Sequence, residues 1–131
     1  MQRLHLSTDQ RDQFVDITRA VTDAVAALGM SEGAVLVSSP HTTAGIAVNE
    51  GYDPDVASDV LGWFQQIAPH LGPYRHAEGN SDSHIKAILT GNSQLLPVTG
   101  GQLALGRWQA VFFCEFDGPR EREVWITAVN E

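Results

Sequence analysis

Apolar residues recur along this chain with two different spacings, which predict strands before, between and after three helices. The helical spacing occurs in segments 18–29, 53–69 and 80–91, and polar or small residues mark both ends of each segment. In the first segment, Thr18 is the expected N-cap and Gly29 is the expected stop.

The second segment has the clearest helix signal. We expect Asp53 to cap this helix, Pro54 to occupy its first position and Pro69 to follow its end. Four apolar residues at helical spacing form one stripe along it: Val56, Val60, Phe64 and Ile67.

A shorter helix is expected next, capped by Asn80 or Ser81 and ended by Gly91. Three of its apolar residues are expected to face the core: Ile85, Ile88 and Leu89. Asp82, in the first turn, is explained by its favourable interaction with the helix dipole. His84 lies beside the apolar face, so we expect it at the edge of a cleft; the alternative is a helix-boundary histidine bonded to a backbone carbonyl.

The remaining apolar runs are typical of strands. Two short strands are expected around a polar turn near the N-terminus, and two more in segments 33–40 and 44–50. From Ser93 onward, the pattern predicts a meander of strands joined by turns. Because helices and strands do not alternate strictly, we predict an α+β fold built mostly on antiparallel sheet, with residues 1–131 as a single domain.

Composition restricts the partners of this chain. Its 131 residues are 43% hydrophobic and 18% charged, which is typical of a globular protein. Sixteen acidic and eight basic residues give a net charge of −8, which argues against nucleic acid or an anionic membrane as a partner. The single cysteine, Cys114, excludes an internal disulfide framework, and its apolar neighbours predict a buried, inert thiol. No apolar run reaches membrane-spanning length, so the cytoplasm is the expected compartment.

Three of the five histidines lie where they suit chemistry: His41, His76 and His84. Neutral imidazoles near carboxylates such as Glu78 are typical ligands of zinc, iron or manganese. Their spacing matches no familiar short metal motif, so solvated loop histidines remain the alternative.

Polar residues also interrupt or end the strands near His41. Pro40 breaks a strand, and such breaks often aim side chains at a site. Thr42 and Thr43 suit phosphate or hydroxyl groups of a substrate, although both are also good strand formers. Glu50 closes an apolar strand without an evident structural partner, so we expect it to act as a general base or to orient a ligand histidine.

Three long motifs make the chain resemble the YjbQ-like family of small bacterial and archaeal proteins, often labelled secondary thiamine-phosphate synthase. In chain order they are PHTTAGIAVNEGYDPDV, YRHAEGNSDSHIKAILTG and LPVTGGQLALGRWQAVFFCEFDGPR. The resemblance implies an α+β fold with an antiparallel β-sandwich core, assembled as a homotrimer. It also implies a metal site near a subunit boundary, with the shared histidines of the family falling on His41, His76 and His84. The Asn-Glu pair of the family falls on Asn49 and Glu50.

The label of the family implies the coupling of hydroxymethylpyrimidine pyrophosphate to thiazole phosphate, a reaction that needs a cation to help pyrophosphate leave. We therefore expect a small phosphorylated metabolite and a divalent metal, zinc first, with manganese, iron or magnesium as alternatives. The expected roles are metal ligation by His41, His76 and His84, catalysis by His41 and Glu50, and substrate binding by Thr42, Thr43, Asn49 and Arg107. Arg107 and Arg120 are candidates to hold anionic groups, or are simply solvated. Two other functions stay open: a metal-dependent hydrolase of a small metabolite, and a non-enzymatic trimeric module that binds a metal or ligand.

Overall fold

The computed structural model describes residues 1–129, which form eight strands and three helices. The strands are β1 (Gln2–Ser7), β2 (Gln13–Asp16), β3 (Gly33–Ser38), β4 (Ala44–Glu50), β5 (Ser93–Thr99), β6 (Gln102–Leu103), β7 (Gln109–Glu115) and β8 (Glu121–Val129). The helices are α1 (Thr18–Ala27), α2 (Pro54–Ile67) and α3 (Ser81–Thr90).

Two antiparallel sheets form the framework. The larger sheet has the strand order β1–β8–β3–β5–β6, and the smaller sheet has the order β2–β7–β4. The two sheets and α1 enclose an apolar core, while α2 and α3 pack against the other face of the smaller sheet. The predicted α+β fold with a mostly antiparallel sandwich core is therefore confirmed.

Strand β7 is the centre of the smaller sheet and is buried from both sides. Val111 and Phe113 contribute to the core between the sheets, whereas Phe112 and Cys114 pack on the side of the helices. Successive residues of a strand point to opposite faces, so a strand covered on both faces needs a continuous apolar run. The buried thiol expected at Cys114 is confirmed, and burial raises its pKa.

The predicted C-terminal meander is wrong. Strands β5 and β6 pair as neighbours, but β7 crosses to the smaller sheet and β8 returns to the larger one between β1 and β3. The apolar residues on both faces of β7 require cover on both sides. The smaller sheet supplies it, because the larger sheet lies on one face and the helices lie on the other.

The ends of α1 and α2 mostly follow the sequence. Asp53 caps α2 by accepting a backbone hydrogen bond at 2.9 Å, and Pro54 is the first helical residue. Gly29 follows α1 with a φ of 67°, a left-handed conformation that favours glycine. Thr18 is not the N-cap, because α1 begins at Thr18 itself. Its hydroxyl instead accepts a hydrogen bond from the backbone N–H of Val111 at 2.9 Å, which ties α1 to β7.

Helix α3 turns its polar side inward, so the predicted inward face is wrong. Ile85, Ile88 and Leu89 are 37%, 80% and 54% exposed. The buried residues of α3 are Asp82, Ser83, Lys86 and Ala87.

Charged partners from the loop between β1 and β2 make this orientation stable. Arg11 donates to both oxygens of Asp82, at 2.8 and 3.0 Å. Lys86 Nζ lies 2.9 Å from Asp12 and 3.1 Å from Asp82. Buried charges that are paired in this way avoid the cost of desolvating an isolated ion. The helix dipole alone was therefore an insufficient explanation for Asp82.

Helix α2 rests only lightly on the smaller sheet. None of its residues is fully buried. Of its predicted stripe, Val56, Val60 and Phe64 are half-buried, while Ile67 is exposed. No helix within residues 1–129 is long and apolar enough to cross a membrane.

Candidate functional site

Two adjoining cavities lie where the turn after β3, the first turns of α3 and the start of β8 meet. One has a volume of about 480 Å³ and a partly apolar lining, and the other has a volume of about 390 Å³ and a mostly polar lining. Both are lined by His41, Thr42 and His84. The two cavities together are named the histidine groove.

His41 is held in one orientation beside this groove. The backbone N–H of Glu123 donates to His41 Nε2 at 2.9 Å, and the imidazole stands edge-on to Phe113 with ring centroids 6.3 Å apart. Burial and the positive charge of Arg122 lower the pKa of His41, which keeps its ring neutral at pH 7. Because Nε2 accepts a hydrogen bond, the neutral ring carries its proton on Nδ1.

A buried ion pair supports the turn that carries His41. Arg122 donates to both oxygens of Glu115, and its Nη2 donates to Thr43 Oγ1 at 2.9 Å. Thr8 donates to the same carboxylate at 2.7 Å. Burial would raise the pKa of Glu115, but hydrogen bonds from Arg122 and Thr8 lower it, so the carboxylate is charged. Arg122 is 4% exposed and forms part of the wall of the polar cavity.

Helix α3 carries His84 to the groove because residues on both sides of His84 are anchored. Ser83 Oγ donates to the backbone carbonyl oxygen of Phe116, the residue after β7, at 2.5 Å. Burial would raise the pKa of Asp82, but hydrogen bonds from Arg11 and Lys86 lower it to about 2. The first turns of α3 are therefore fixed relative to both the sheet and the β1–β2 loop.

His76 is the second imidazole beside His84. Their ring centroids are 5.5 Å apart and their planes are nearly perpendicular, at 84°. His76 Nε2 lies 3.7 Å from a carboxylate oxygen of Glu78. Within residues 1–129, the ring hydrogen bonds of histidines are those of His41 and His70. No hydrogen bond within residues 1–129 thus engages the ring nitrogens of His76 and His84, and a neutral imidazole offers a cation one nitrogen lone pair.

This imidazole pair has side chains of the kind that bind metals, but within residues 1–129 it is not a metal site by itself. Imidazole nitrogens with a nearby carboxylate suit zinc and related divalent cations. The described part of the chain contains no group of three histidine, cysteine or acidic side chains placed to hold a metal ion. Catalytic zinc sites have three protein ligands. His76 and His84 therefore give two imidazoles, one fewer than the ligands of such a zinc site.

A small polar network borders the other side of the groove. Arg120 and Asn80 both donate to Asp117, at 3.1 and 2.8 Å. Asn80 Oδ1 is buried and has no hydrogen-bond partner within residues 1–129. Of the two arginines singled out from the sequence, Arg120 lines the polar cavity.

Asn49, Glu50 and Arg107 lie away from the histidine groove. Asn49 and Glu50 border a separate cavity of about 250 Å³ at the other end of β4, and a strand of this length places them about 20 Å from its start. Glu50 accepts a hydrogen bond from the backbone N–H of Tyr52 at 2.9 Å. Arg107 stacks on the Trp108 ring at 4.8 Å. Within one chain, Glu50 therefore does not accompany the histidines.

Sequence reasoning did not identify the buried contacts of four residues that hold the groove in place: Asp82, Lys86, Glu115 and Arg122. Glu115 interrupts an apolar run, and Arg122 shares the buried face of β8 with Val124 and Ile126. A charge at a buried position needs a partner. Lys86 lies four residues after Asp82, which is the spacing of an ion pair on one helix. These signals reveal that partners are needed but do not reveal which partners are used.

Comparisons with known proteins agree on one family. The family model described as UPF0047 protein YjbQ-like matches residues 2–131. The UPF0047 protein YugU of Bacillus subtilis is 45% identical over 127 residues, covering 96% of each chain. A UPF0047 protein of Methanocaldococcus jannaschii is 39% identical over 129 residues, covering 98% of this chain and 94% of its own.

Solved structures show the same fold. An uncharacterised conserved protein of the YjbQ/UPF0047 family from Clostridium acetobutylicum has a TM-score of 0.96 and 47% identity, covering 98% of this chain and 100% of its own. A conserved hypothetical protein from Thermus thermophilus has a TM-score of 0.90 and 49% identity, with the same coverage of 98% and 100%. The names of these relatives describe a family and a fold but no reaction.

Proposed function

This chain belongs to the YjbQ-like UPF0047 family, and we propose that its histidine groove binds a small phosphorylated metabolite beside a divalent cation. One observation carries the proposal: His84, whose ring lies 5.5 Å from that of His76, lines the same cavity as Arg120 and Arg122. Imidazoles bind the cation, and guanidinium groups bind phosphate oxygens. Such positive groups are needed to attract phosphate to a chain with a net charge of −8.

The reaction we propose is a transfer of the thiamine-phosphate synthase type, which couples hydroxymethylpyrimidine pyrophosphate to thiazole phosphate. A divalent cation bound by His76 and His84 would stabilise the charge of the leaving pyrophosphate, with zinc as the first candidate and manganese, iron or magnesium as alternatives. Arg120 and Thr42 orient phosphate oxygens in the polar cavity. The cavity beside Ala87 and Ile88 receives the substrate ring, since its lining is partly apolar.

The position of Glu50 favours a second candidate, a module that binds the ligand without turning it over. The expected general base borders the separate cavity beside Trp108 and not the histidine groove. A binding module needs only the imidazoles of His76 and His84, to bind the cation, and the arginines, to bind phosphate. A metal-dependent hydrolase would use the same groove, with water replacing the second substrate.

We also propose that the protein is a homotrimer that works in the cytoplasm. Trp63, Leu71 and Ile88 are 65%, 90% and 80% exposed, and large exposed apolar side chains are candidates for an interaction surface. A neighbouring subunit would cover this surface and is a source of the missing metal ligand. The one cysteine, Cys114, is free and buried, which suits a reducing compartment.

Zinc binding and product analysis test the proposal with the parent, His84→Ala and the control His5→Ala. His5 is exposed on β1 and does not line the groove. We expect the parent and control to bind about one zinc ion per chain, and His84→Ala to lose it while its circular dichroism stays unchanged. Full zinc retention by His84→Ala would contradict the site.

The product then identifies the reaction. Thiamine phosphate formed from both substrates by the parent, but not by His84→Ala, supports the transferase. Phosphate released from a single substrate indicates the hydrolase. Ligand binding without any product leaves the binding module.

A further inference from the structure

We infer that His41 serves the groove as a fixed Nδ1–H hydrogen-bond donor to a ligand oxygen, and that it is not a metal ligand. The inference builds on the proposed function, because it assigns the group of the ligand that His41 would contact. It departs from the role that family resemblance implies for His41. The observation that supports the inference is the hydrogen bond from the Glu123 backbone N–H to His41 Nε2, at 2.9 Å.

The sheet explains why this bond forms. The β3–β8 ladder ends at the pair Ser38–Trp125, two residues before Glu123 is reached. Strand β3 has then given way to the turn at Pro40, so this part of β8 has lost its strand partner on that side. A backbone N–H left unpaired in a partly buried position is costly, and the imidazole of His41 takes the place of the missing strand carbonyl.

The surroundings also hold the imidazole in place. Rotation of the ring by half a turn would present a carbon atom to the Glu123 N–H and lose the hydrogen bond. Two further hydrogen bonds hold the turn itself. The His41 backbone N–H donates to Ser39 Oγ at 3.2 Å, and the buried Arg122 donates to the Thr43 hydroxyl. The turn therefore keeps both its backbone and its histidine ring in a single arrangement.

The tautomer decides what His41 offers to a ligand. Its Nε2 lone pair is occupied, and Nδ1 carries the proton, so neither nitrogen has a lone pair free for a cation. Since His41 lines both cavities of the groove, the ligand chemistry that suits its Nδ1–H is a carbonyl or phosphoryl oxygen. The cation of the proposed function would be bound by His76 and His84, whose ring nitrogens make no hydrogen bond within residues 1–129.

Nitrogen-15 NMR of the histidine rings tests this assignment in the full-length protein, first metal-free and then with zinc added. We expect His41 to show a protonated Nδ1 and an unprotonated Nε2 in both samples. Zinc should shift the resonances of His76 and His84 but leave the protonation of His41 unchanged. A protonated Nε2 on His41, or loss of its Nδ1 proton when zinc is added, would overturn the inference.

The variant His41→Gln separates the two roles, because a glutamine carbonyl can still accept from Glu123 N–H while the Nδ1 donor is lost. It should bind zinc as the parent does but bind inorganic pyrophosphate about 10-fold more weakly, the effect of one lost hydrogen bond. Loss of zinc in His41→Gln, or unchanged pyrophosphate affinity, would contradict the inference. If the parent binds neither zinc nor pyrophosphate, the proposed function fails, whereas the tautomer in metal-free protein still decides the assignment of His41.

Discussion

Replacing Asp82 by alanine tests how strongly the inward polar side of α3 stabilises this fold. The carboxylate of Asp82 is 0% exposed and accepts hydrogen bonds from both Arg11 and Lys86. The substitution leaves Lys86, also 0% exposed, with Asp12 as its remaining partner. A buried ammonium would thus lose half of its compensating charge.

The expected cost is large compared with the stability of such a protein. Removing one partner of a buried ion pair costs about 3–5 kcal/mol, because the other charge stays desolvated. A domain of this size unfolds with a free energy of about 5–15 kcal/mol, so Asp82→Ala should consume a substantial part of it. The double variant Asp82→Ala/Lys86→Met should lose less than Asp82→Ala alone, because it leaves no uncompensated buried ammonium.

Urea unfolding followed by circular dichroism measures these differences, with every variant at the same protein concentration because assembly affects stability. Asp23→Ala is the matched control. Asp23 also forms an ion pair within one helix, with Arg19 at 3.5 Å, but both side chains are largely exposed. This control should change the free energy of unfolding by about 0–1 kcal/mol.

The pH dependence gives a second magnitude. The pKa of Asp82 falls from 3.8 to about 2 on folding, so its charged form adds about 2 kcal/mol of stability above pH 4. That contribution is lost as the pH falls from about 4 to about 2, because the unfolded chain takes up the proton first. The difference between the parent and Asp82→Ala should therefore narrow over this range. A cost below about 1 kcal/mol at pH 7, or a difference that stays constant with pH, would refute the reasoning.

Three further predictions concern His41, a close backbone approach and the exposed helices. Folding lowers the pKa of His41 from 6.5, so the stability of the parent should decline as the pH falls below about 6.5. Thermal melts should show a smaller decline for His41→Gln, and identical pH profiles of the two proteins would contradict this. Gly45→Ala would place a Cβ 2.5 Å from the Gly91 carbonyl oxygen. The free energy of unfolding in urea should therefore fall by about 1–3 kcal/mol, and an unchanged midpoint would contradict this prediction. For the proposed homotrimer, Trp63→Glu should shift the molar mass in light scattering toward that of a monomer, since Trp63 is 65% exposed in the single chain. An intact trimer would place the interface elsewhere.

Local patterns predicted most of the secondary structure. The cap at Asp53, the glycine after α1 and the buried run of β7 depend on neighbours within a few residues. The same local reasoning failed for α3, because its apolar stripe was assumed to face the core. The choice of face depended on Arg11, which lies 71 positions before Asp82 and is not signalled by the spacing of the helix.

Local patterns also predicted only part of the candidate site. The unusual run of polar residues around His41 and the histidine of the third helix segment, His84, were visible in the sequence, and both histidines line one groove. Glu50 does not lie with these histidines, because β4 extends away from the groove and Glu50 is at the far end of the strand. A strand separates residues along its length even when they belong to one motif.

Composition and local spacing are enough to predict the periodic elements, the absence of a disulfide framework, the acidic balance and the residue types available for chemistry. Each of these depends on composition or on contacts between near neighbours. Three features appear only in the folded chain: β7 and β8 enter different sheets, α3 buries its charges, and the Glu123 N–H donates to His41 Nε2 from 82 positions away. Such contacts depend on how distant segments satisfy one another's buried polar groups, and no local spacing specifies that pairing.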